Sequence, residues 1–228
     1  MKKLIAFLLM GLTLISCDSI TSKSPSSEKD KVIYTIGQMY ARRIDYLRLD
    51  KAETEMLLQG ARDWMKDQKS QVDFDQSRMM VQGFIEERMA SGAKIEKEKG
   101  KTYIDSFVKG GAKLTPSGLA YQIIKPGSNV KAGANDTVEV HYHGTFIDGT
   151  VFDSSVDRKE KATFPLDVVI KGWQEGLQLI GEGGEIKLVV PSDLAYGDRG
   201  SSPKIPGGAT LIFNVTLFKV SKASKPKR

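Results

Sequence analysis

The sequence contains one cysteine, Cys17, and has no apolar run long enough to be a convincing membrane span. A single cysteine cannot form a disulfide within the chain, which excludes a disulfide-stabilised scaffold. The chain also has no G-x-S-x-G word, and GEGGE at residues 181–185 lacks the Lys and the Ser or Thr of a phosphate-binding loop. Neither histidine has a plausible catalytic triad beside it. Serine hydrolysis and phosphoryl transfer are therefore poorly supported.

The body of the chain also lacks an excess of basic residues, although the net charge is +6. Six of the 34 basic residues lie at the two ends: Lys2, Lys3, Lys222, Lys225, Lys227 and Arg228. The other 28 are matched by 28 acidic residues. The composition therefore gives no support for nucleic-acid binding, and no nucleic-acid partner is expected.

The two histidines offer a weak metal site. His141 and His143 alternate along one predicted strand and share a face. Two ligands without a nearby third make a poor site, so a solvated strand face is the better interpretation. We expect no metal and no cofactor.

The first seventeen residues, MKKLIAFLLMGLTLISC, have a basic start and a short apolar run, as secretory signals do. LISC resembles the bacterial lipobox, in which the cysteine is lipidated and becomes the new N-terminus. We predict a lipoprotein signal peptide at 1–17, membrane attachment through lipidated Cys17 and a flexible Ser-rich tether at 18–29. The alternative is a signal peptide without lipidation.

Residues 30–113 are predicted to be helical, because they lack proline until about residue 110 and carry apolar residues at helical spacing. Asp50 with Glu53, and Asp73 with Gln76, are typical helix starts. The third helix should run from about 74 to 109, about 50 Å at 1.5 Å per residue. Its polar second half, residues 87–101, is predicted to be a solvent-exposed connecting rod.

Two short helices and half of a long one bury too little apolar surface alone. We therefore predict a homodimer through residues 30–90. A helical cap packed on the C-terminal region remains the alternative.

The C-terminal half has a different composition. Residues 114–220 contain most of the prolines, many glycines and short β-branched runs, which predict an antiparallel sheet with one short helix after Trp173, along EGLQLI. Residues 221–228 form a basic tail. The predicted fold class is α+β, with an all-α dimerisation domain, a long connecting helix and a sheet wrapped on one short helix.

Five short sequence motifs resemble those of a known family. VHYHG, DGTVFDSS, VIKGWQEGLQLI, VPSDLAYGDRG and PGGATLIFNVTL occur in the order and spacing of the FKBP-type peptidyl-prolyl cis/trans isomerases. The helical half, with KVIYTIGQM near its start and LTPSGLAYQIIKPG after its end, resembles the macrophage infectivity potentiator branch, which comprises dimeric isomerases of the bacterial envelope. The resemblance implies an FKBP-like domain at 114–220.

It also implies a pocket that binds an X-Pro segment without covalent chemistry. Trp173 would form the floor, and the walls would be Tyr142, Phe152, Val169, Ile170 and Phe213. The Ile170 N–H and the Tyr196 hydroxyl would donate to substrate carbonyls. Phe164 and Ile205 are further candidates for the pocket.

Asp153 is the residue whose role is least obvious. In the family the matching carboxylate faces the pocket, bonded to a tyrosine and an arginine, for which Tyr142 and Arg158 are the candidates. Strict alternation would put Phe152 and Asp153 on opposite faces, so both line one pocket only if the strand ends or bulges there. A turn-capping role for Asp153 is the alternative.

Three positions depart from the family pattern. Ala162 stands where many relatives have an aromatic residue, and Ser201 and Lys204 stand where relatives frequently have His and an aliphatic residue. The charged rim would alter substrate preference and weaken tacrolimus- or rapamycin-like inhibitors, which the resemblance implies as ligands.

The expected function is isomerisation of X-Pro bonds in unfolded or exported polypeptides, by a lipid-anchored protein of the bacterial cell envelope. The alternatives are a dimeric holdase chaperone with incidental turnover, and a surface adhesin or virulence factor.

Overall fold

The structure is a computed structural model that describes residues 24–201 and 203–223. The predicted signal peptide with Cys17, the first part of the tether and the end of the basic tail lie outside the described residues. No helix within the described ranges is long and apolar enough to cross a membrane.

Three helices come first along the chain. They are α1 (Glu28–Ile44), followed by a short 3₁₀ helix (Asp45–Leu47), α2 (Lys51–Met65) and α3 (Phe74–Lys109). Asp50 forms a full capping box with Glu53, and the Asp73 carboxylate accepts the Gln76 N–H. Both predicted helix starts and the predicted length of α3 are confirmed, because capping groups fix where a helix begins.

The prediction that residues 87–101 form a solvent-exposed connecting rod is wrong for one face of the helix. Gly92, Ala93 and Gly100 are buried, as is Ile104 further along α3. The small side chains let this face of α3 lie against the backbone of Gly207 and Gly208 and against Thr210. The sequence did not predict this contact between α3 and the loop, because the buried face of the helix consists of glycine and alanine rather than large apolar residues.

Seven strands form one antiparallel sheet within the described residues. They are β1 (Lys113–Leu114), β2 (Ala120–Lys125), β3 (Thr137–Thr145), β4 (Val151–Ser154), β5 (Ala162–Pro165), β6 (Glu185–Val190) and β7 (Leu211–Ser221). The order is β1-β2-β6-β7-β3-β4, and β5 pairs with the start of β3. The central strand β3 alternates half-buried with buried residues, because one face covers the core, and its neighbour β7 begins with three buried residues.

A short helix, α4 (Lys171–Gly176), lies on this face and continues as a 3₁₀ turn to Leu179. It begins two residues before Trp173, whereas the sequence suggested a start after it. A Cβ on Gly172 would come within 2.4 Å of Val190, and one on Gly176 within 2.6 Å of Leu188. Because both positions are glycine, α4 packs directly on β6 and carries Trp173 into the core. The α+β class is confirmed.

Candidate functional site

The site is built around the indole of Trp173. Three aromatic rings stand nearly perpendicular to it: Tyr142 at 5.3 Å between ring centroids, Phe213 at 5.2 Å and Phe164 at 5.8 Å. Edge-to-face contacts of this kind add to the energy of simple burial. Trp173, Tyr142 and Phe213 are all buried. The sheet and α4 therefore supply a rigid aromatic base.

The indole N–H of Trp173 has no hydrogen-bond partner among the described residues, although the nitrogen is buried. Buried donors in a finished core are almost always paired. The indole nitrogen of Trp173 is therefore an exception in this core.

A β-bulge puts Phe152 and Asp153 on the same side. Gly144 of β3 pairs with Asp153 and Thr145 pairs with Val151, so Phe152 is the extra residue. The Phe152 ring packs against Phe213 at 5.5 Å, in the space left at Gly144, where a Cβ would lie 2.8 Å from the ring. The bulge thus breaks the strict alternation of side chains along β4, which is the condition for Phe152 and Asp153 to line one pocket.

Asp153 is held by two donors. The Tyr142 hydroxyl donates to one carboxylate oxygen at 2.5 Å, and the Arg158 guanidinium donates to the other. Arg158 also donates to the Tyr142 hydroxyl at 3.0 Å. The three side chains therefore form a closed network at the edge of the aromatic base.

This network keeps Asp153 ionised at neutral pH. Burial raises the pKa of Asp153, but the hydrogen bonds from Tyr142 and Arg158 outweigh it, so the pKa lies below its usual value. Burial and the neighbouring Asp153 raise the pKa of Tyr142. The pair is thus an anion with a neutral phenol donor, an arrangement that orients polar groups rather than exchanging protons near neutral pH.

An open cavity of about 240 Å³ lies beside this network. Its lining residues are Phe152, Asp153, Tyr196, Ser201, Pro203, Lys204 and Ile205. Tyr196 is 42% exposed, so its hydroxyl is accessible. The positive charge of Lys204 contributes to the low pKa of Asp153.

The predicted residues thus divide into two groups. Phe152, Asp153, Tyr196 and Ile205 line the cavity, whereas Tyr142, Phe164, Trp173 and Phe213 form the aromatic base. Val169 and Ile170 are half-buried against the same core but do not line the cavity. The Ile170 N–H has no acceptor within the described residues, so it is available to a ligand.

Three further residues, which were not among the predicted site residues, support this site. The buried Ser155 hydroxyl accepts the Tyr142 N–H at 2.8 Å, and the Gln174 amide donates to the Val169 carbonyl at 2.8 Å. Phe146 packs on Phe152 at 5.1 Å. Of the three, only Phe146 could have been identified from the sequence, because it is an aromatic residue at a strand end. A polar side chain that bonds to the backbone has no recognisable sequence pattern.

Comparison with known proteins defines the class. Residues 128–218 match the model of the FKBP-type peptidyl-prolyl cis-trans isomerases, and residues 29–123 match that of the domain amino-terminal to these isomerases. The chain belongs to the FKBP-type peptidyl-prolyl cis-trans isomerase family.

Two curated relatives and one solved structure place it within that family. It is 36% identical over 231 residues to the outer membrane protein MIP of Legionella longbeachae, covering 97% of this chain and 99% of the relative. It is 43% identical over 217 residues to the isomerase FkpA of Escherichia coli, covering 87% and 78%. The crystal structure of that FkpA superposes with a TM-score of 0.64 at 34% identity, over 88% of this chain and all of the other.

Proposed function

We propose that the aromatic base and the cavity beside Asp153 bind an X-Pro segment and lower its rotational barrier without covalent chemistry. The observation that carries this is the cluster of three perpendicular rings on Trp173, bordered by the Tyr142–Asp153–Arg158 network.

The energetic requirement is modest. Rotation about an X-Pro bond has a barrier of about 20 kcal/mol, and a 10⁴-fold acceleration requires a reduction of about 5.5 kcal/mol. Differential binding of the twisted amide can supply that amount. No nucleophile or proton transfer is needed.

The residues divide this task between them. The twisted amide has lost its resonance and is less dipolar, so it is favoured in an apolar, water-poor slot. Trp173 and the surrounding rings would receive the proline ring. The free Ile170 N–H and the exposed Tyr196 hydroxyl would donate to substrate carbonyls, and Asp153 would fix the orientation of Tyr142.

The clients in this proposal are proline-containing unfolded or exported polypeptides, and the protein acts in the bacterial envelope, attached through lipidated Cys17. The signal-like first seventeen residues and the likeness to a protein named as an outer membrane protein support the location. Mass spectrometry of the protein from bacterial membranes should find diacylglycerol on Cys17, and Cys17→Ser should remove this modification. An unmodified Cys17 in a membrane-free protein would contradict the anchor.

A holdase function is the second candidate, because the helices expose many large apolar side chains. Examples are Met39, Met56, Trp64, Met65 and Met80, each more than half exposed. Such surfaces either pair with another copy of the chain or bind unfolded polypeptides.

One variant separates the two functions. Tyr196→Phe removes a donor from the cavity and leaves the helices unchanged. We expect this variant to catalyse less well the refolding of a protein whose folding is limited by prolyl isomerisation. We expect the variant to suppress the aggregation of a proline-free client as well as the wild type does. A parallel loss of both activities in a folded variant would contradict this separation.

A further inference from the structure

A second and larger cavity, of about 580 Å³, adjoins the candidate site. We call it the arginine groove, and it lies between the chain segments 42–48, 89–93, 198–200 and 203–207. Pro203 and Ile205 line both this groove and the cavity beside Asp153. The two cavities are therefore adjacent.

The walls of the groove are fixed by close contacts. Gly208 has a φ of +76°, and a Cβ there would lie 2.2 Å from the Ala93 carbonyl oxygen, so the loop and α3 are in backbone contact. Arg48 donates to Glu96 of α3 at 2.7 Å, and Leu47 is buried. The groove is therefore pre-formed, as ligand sites usually are.

The charge of the groove is positive. Arg42, Arg43, Arg48 and Arg199 line it, against Asp45 and Asp198. Arg48 is paired with Glu96, and Asp198 with Lys97 at 2.6 Å. Within the described part of the chain, Arg42, Arg43 and Arg199 have no ion-pair partner, so three guanidinium groups face one unpaired carboxylate.

A neighbouring cavity on α3 provides a contrast. Its own basic residues, Lys94 and Lys97, are equal in number to its own acidic residues, Glu86 and Glu98, and it shares Arg199 and Asp198 with the arginine groove. The charges that belong to this cavity alone are therefore balanced. Those of the arginine groove are not, and Tyr46, Met89 and Pro206 give it an apolar floor.

We infer that the arginine groove binds an extended acidic segment of the same client chain whose proline occupies the candidate site. The inference rests on the proposed function and names a substrate class for it: X-Pro bonds a few residues from clustered Asp or Glu. An extended chain advances about 3.3 Å per residue, so a few residues beyond the proline suffice to enter the groove. Guanidinium groups suit carboxylates because they can donate two parallel hydrogen bonds.

The test measures, by exchange NMR, how fast the chain from residue 18 onward isomerises three kinds of peptide. The first is a short Phe-Pro tetrapeptide. The second kind adds four Glu residues at three to eight positions from the proline, in one peptide before it and in another after it, and the third kind has Lys in place of each Glu. We expect KM for one Glu peptide to be about fivefold lower than for its Lys counterpart, from a few exposed ion pairs. The advantage should shrink as NaCl rises from about 20 to about 300 mM.

Two variants assign the effect to the groove. Arg42→Gln/Arg43→Gln removes charge from one wall, and Arg199→Gln removes it from the other. Each should reduce the ratio of the two KM values toward one. Lys113→Gln/Lys219→Gln, which removes two exposed charges from the sheet, should leave the ratio unchanged. If the double arginine variant fails to fold, Arg199→Gln decides alone.

The outcomes separate the inference from the proposed function. Turnover of the tetrapeptide with equal KM for Glu and Lys peptides would overturn the inference and leave the isomerase function intact. A Glu advantage that survives all the arginine variants would also overturn it. Absence of turnover for every peptide would contradict the proposed function itself.

Discussion

At the scale of single residues, the site depends on one carboxylate that stays ionised. Asp153 accepts from both Tyr142 and Arg158, and these bonds lower its pKa below 3.8 despite partial burial. A charged acceptor holds a phenol donor more firmly than a neutral one does.

The pH dependence of turnover follows from that pKa. Because hydrogen bonds hold the pKa of Asp153 below its usual value, the carboxylate stays ionised in mildly acidic solution, and we expect kcat/KM for a Phe-Pro peptide to be constant between about pH 5 and 8. It should fall only as pH drops below about 4. Exchange NMR at a series of pH values measures kcat/KM, and far-UV circular dichroism at the same pH values confirms that the protein is folded. A midpoint near pH 6 or 7 would mean that another group controls the pocket.

Asp136 gives a second pH prediction, for stability. Hydrogen bonds from Lys222 and from the Gly133 and Ala223 N–H groups lower its pKa from 3.8 to about 2. A lowered pKa stabilises the fold fully above the unfolded value, and this stabilisation is lost as pH falls from about 4 to about 2. Asp136→Asn should therefore flatten the pH dependence of the urea midpoint in this window. An unchanged slope would contradict the assignment.

At the scale of elements, α3 is part of the packing of the C-terminal region. A Cβ on Gly100 would lie 2.0 Å from the Thr210 hydroxyl oxygen, and Thr210 is buried. We expect Gly100→Ala to reduce the free energy of unfolding by about 1–3 kcal/mol through overpacking.

Gly83→Ala is the matched control in the same helix. Nothing lies within 4 Å of a Cβ there, so alanine should stabilise α3 by up to about 1 kcal/mol through helix propensity. Urea unfolding of both variants measures the difference. Equal effects of the two substitutions would mean that α3 does not pack against Thr210.

The same elements show how much the sequence could predict. Capping pairs such as Asp50 with Glu53 are local, so helix starts were predictable, and so was the α+β class. The bulge at Phe152 was foreseen only as one of two possibilities, because register depends on β3 as well as β4. The arginine groove was not foreseeable, since segments 42–48 and 198–200 are about 150 residues apart and no short-range pattern connects them. The roles of the site residues stay predictions.

At the scale of the whole molecule, the exposed apolar residues of the helices favour a dimer. Leu57 and Trp64 lie on one face of α2, and Trp64 is 82% exposed. We expect Leu57→Asp/Trp64→Asp to shift the protein from dimer to monomer in sedimentation equilibrium, because two charges in an apolar interface are costly. Lys69→Asp, outside the helices, serves as the control. A wild-type monomer would contradict the dimer and leave these surfaces free for unfolded chains.

The central claim is that the pocket beside Asp153 accelerates X-Pro rotation. The most direct test is the isomerisation rate of a Phe-Pro peptide, in a protease-free assay, with the chain from residue 18 onward and with its Asp153→Leu variant. Loss of a hydrogen-bonded charge is worth about 1.5–3 kcal/mol, so we predict fast turnover by the wild type and a fall of about tenfold to a hundredfold in kcat/KM for the variant. Equal rates for the two folded proteins, or a wild-type rate no better than buffer, would contradict the account.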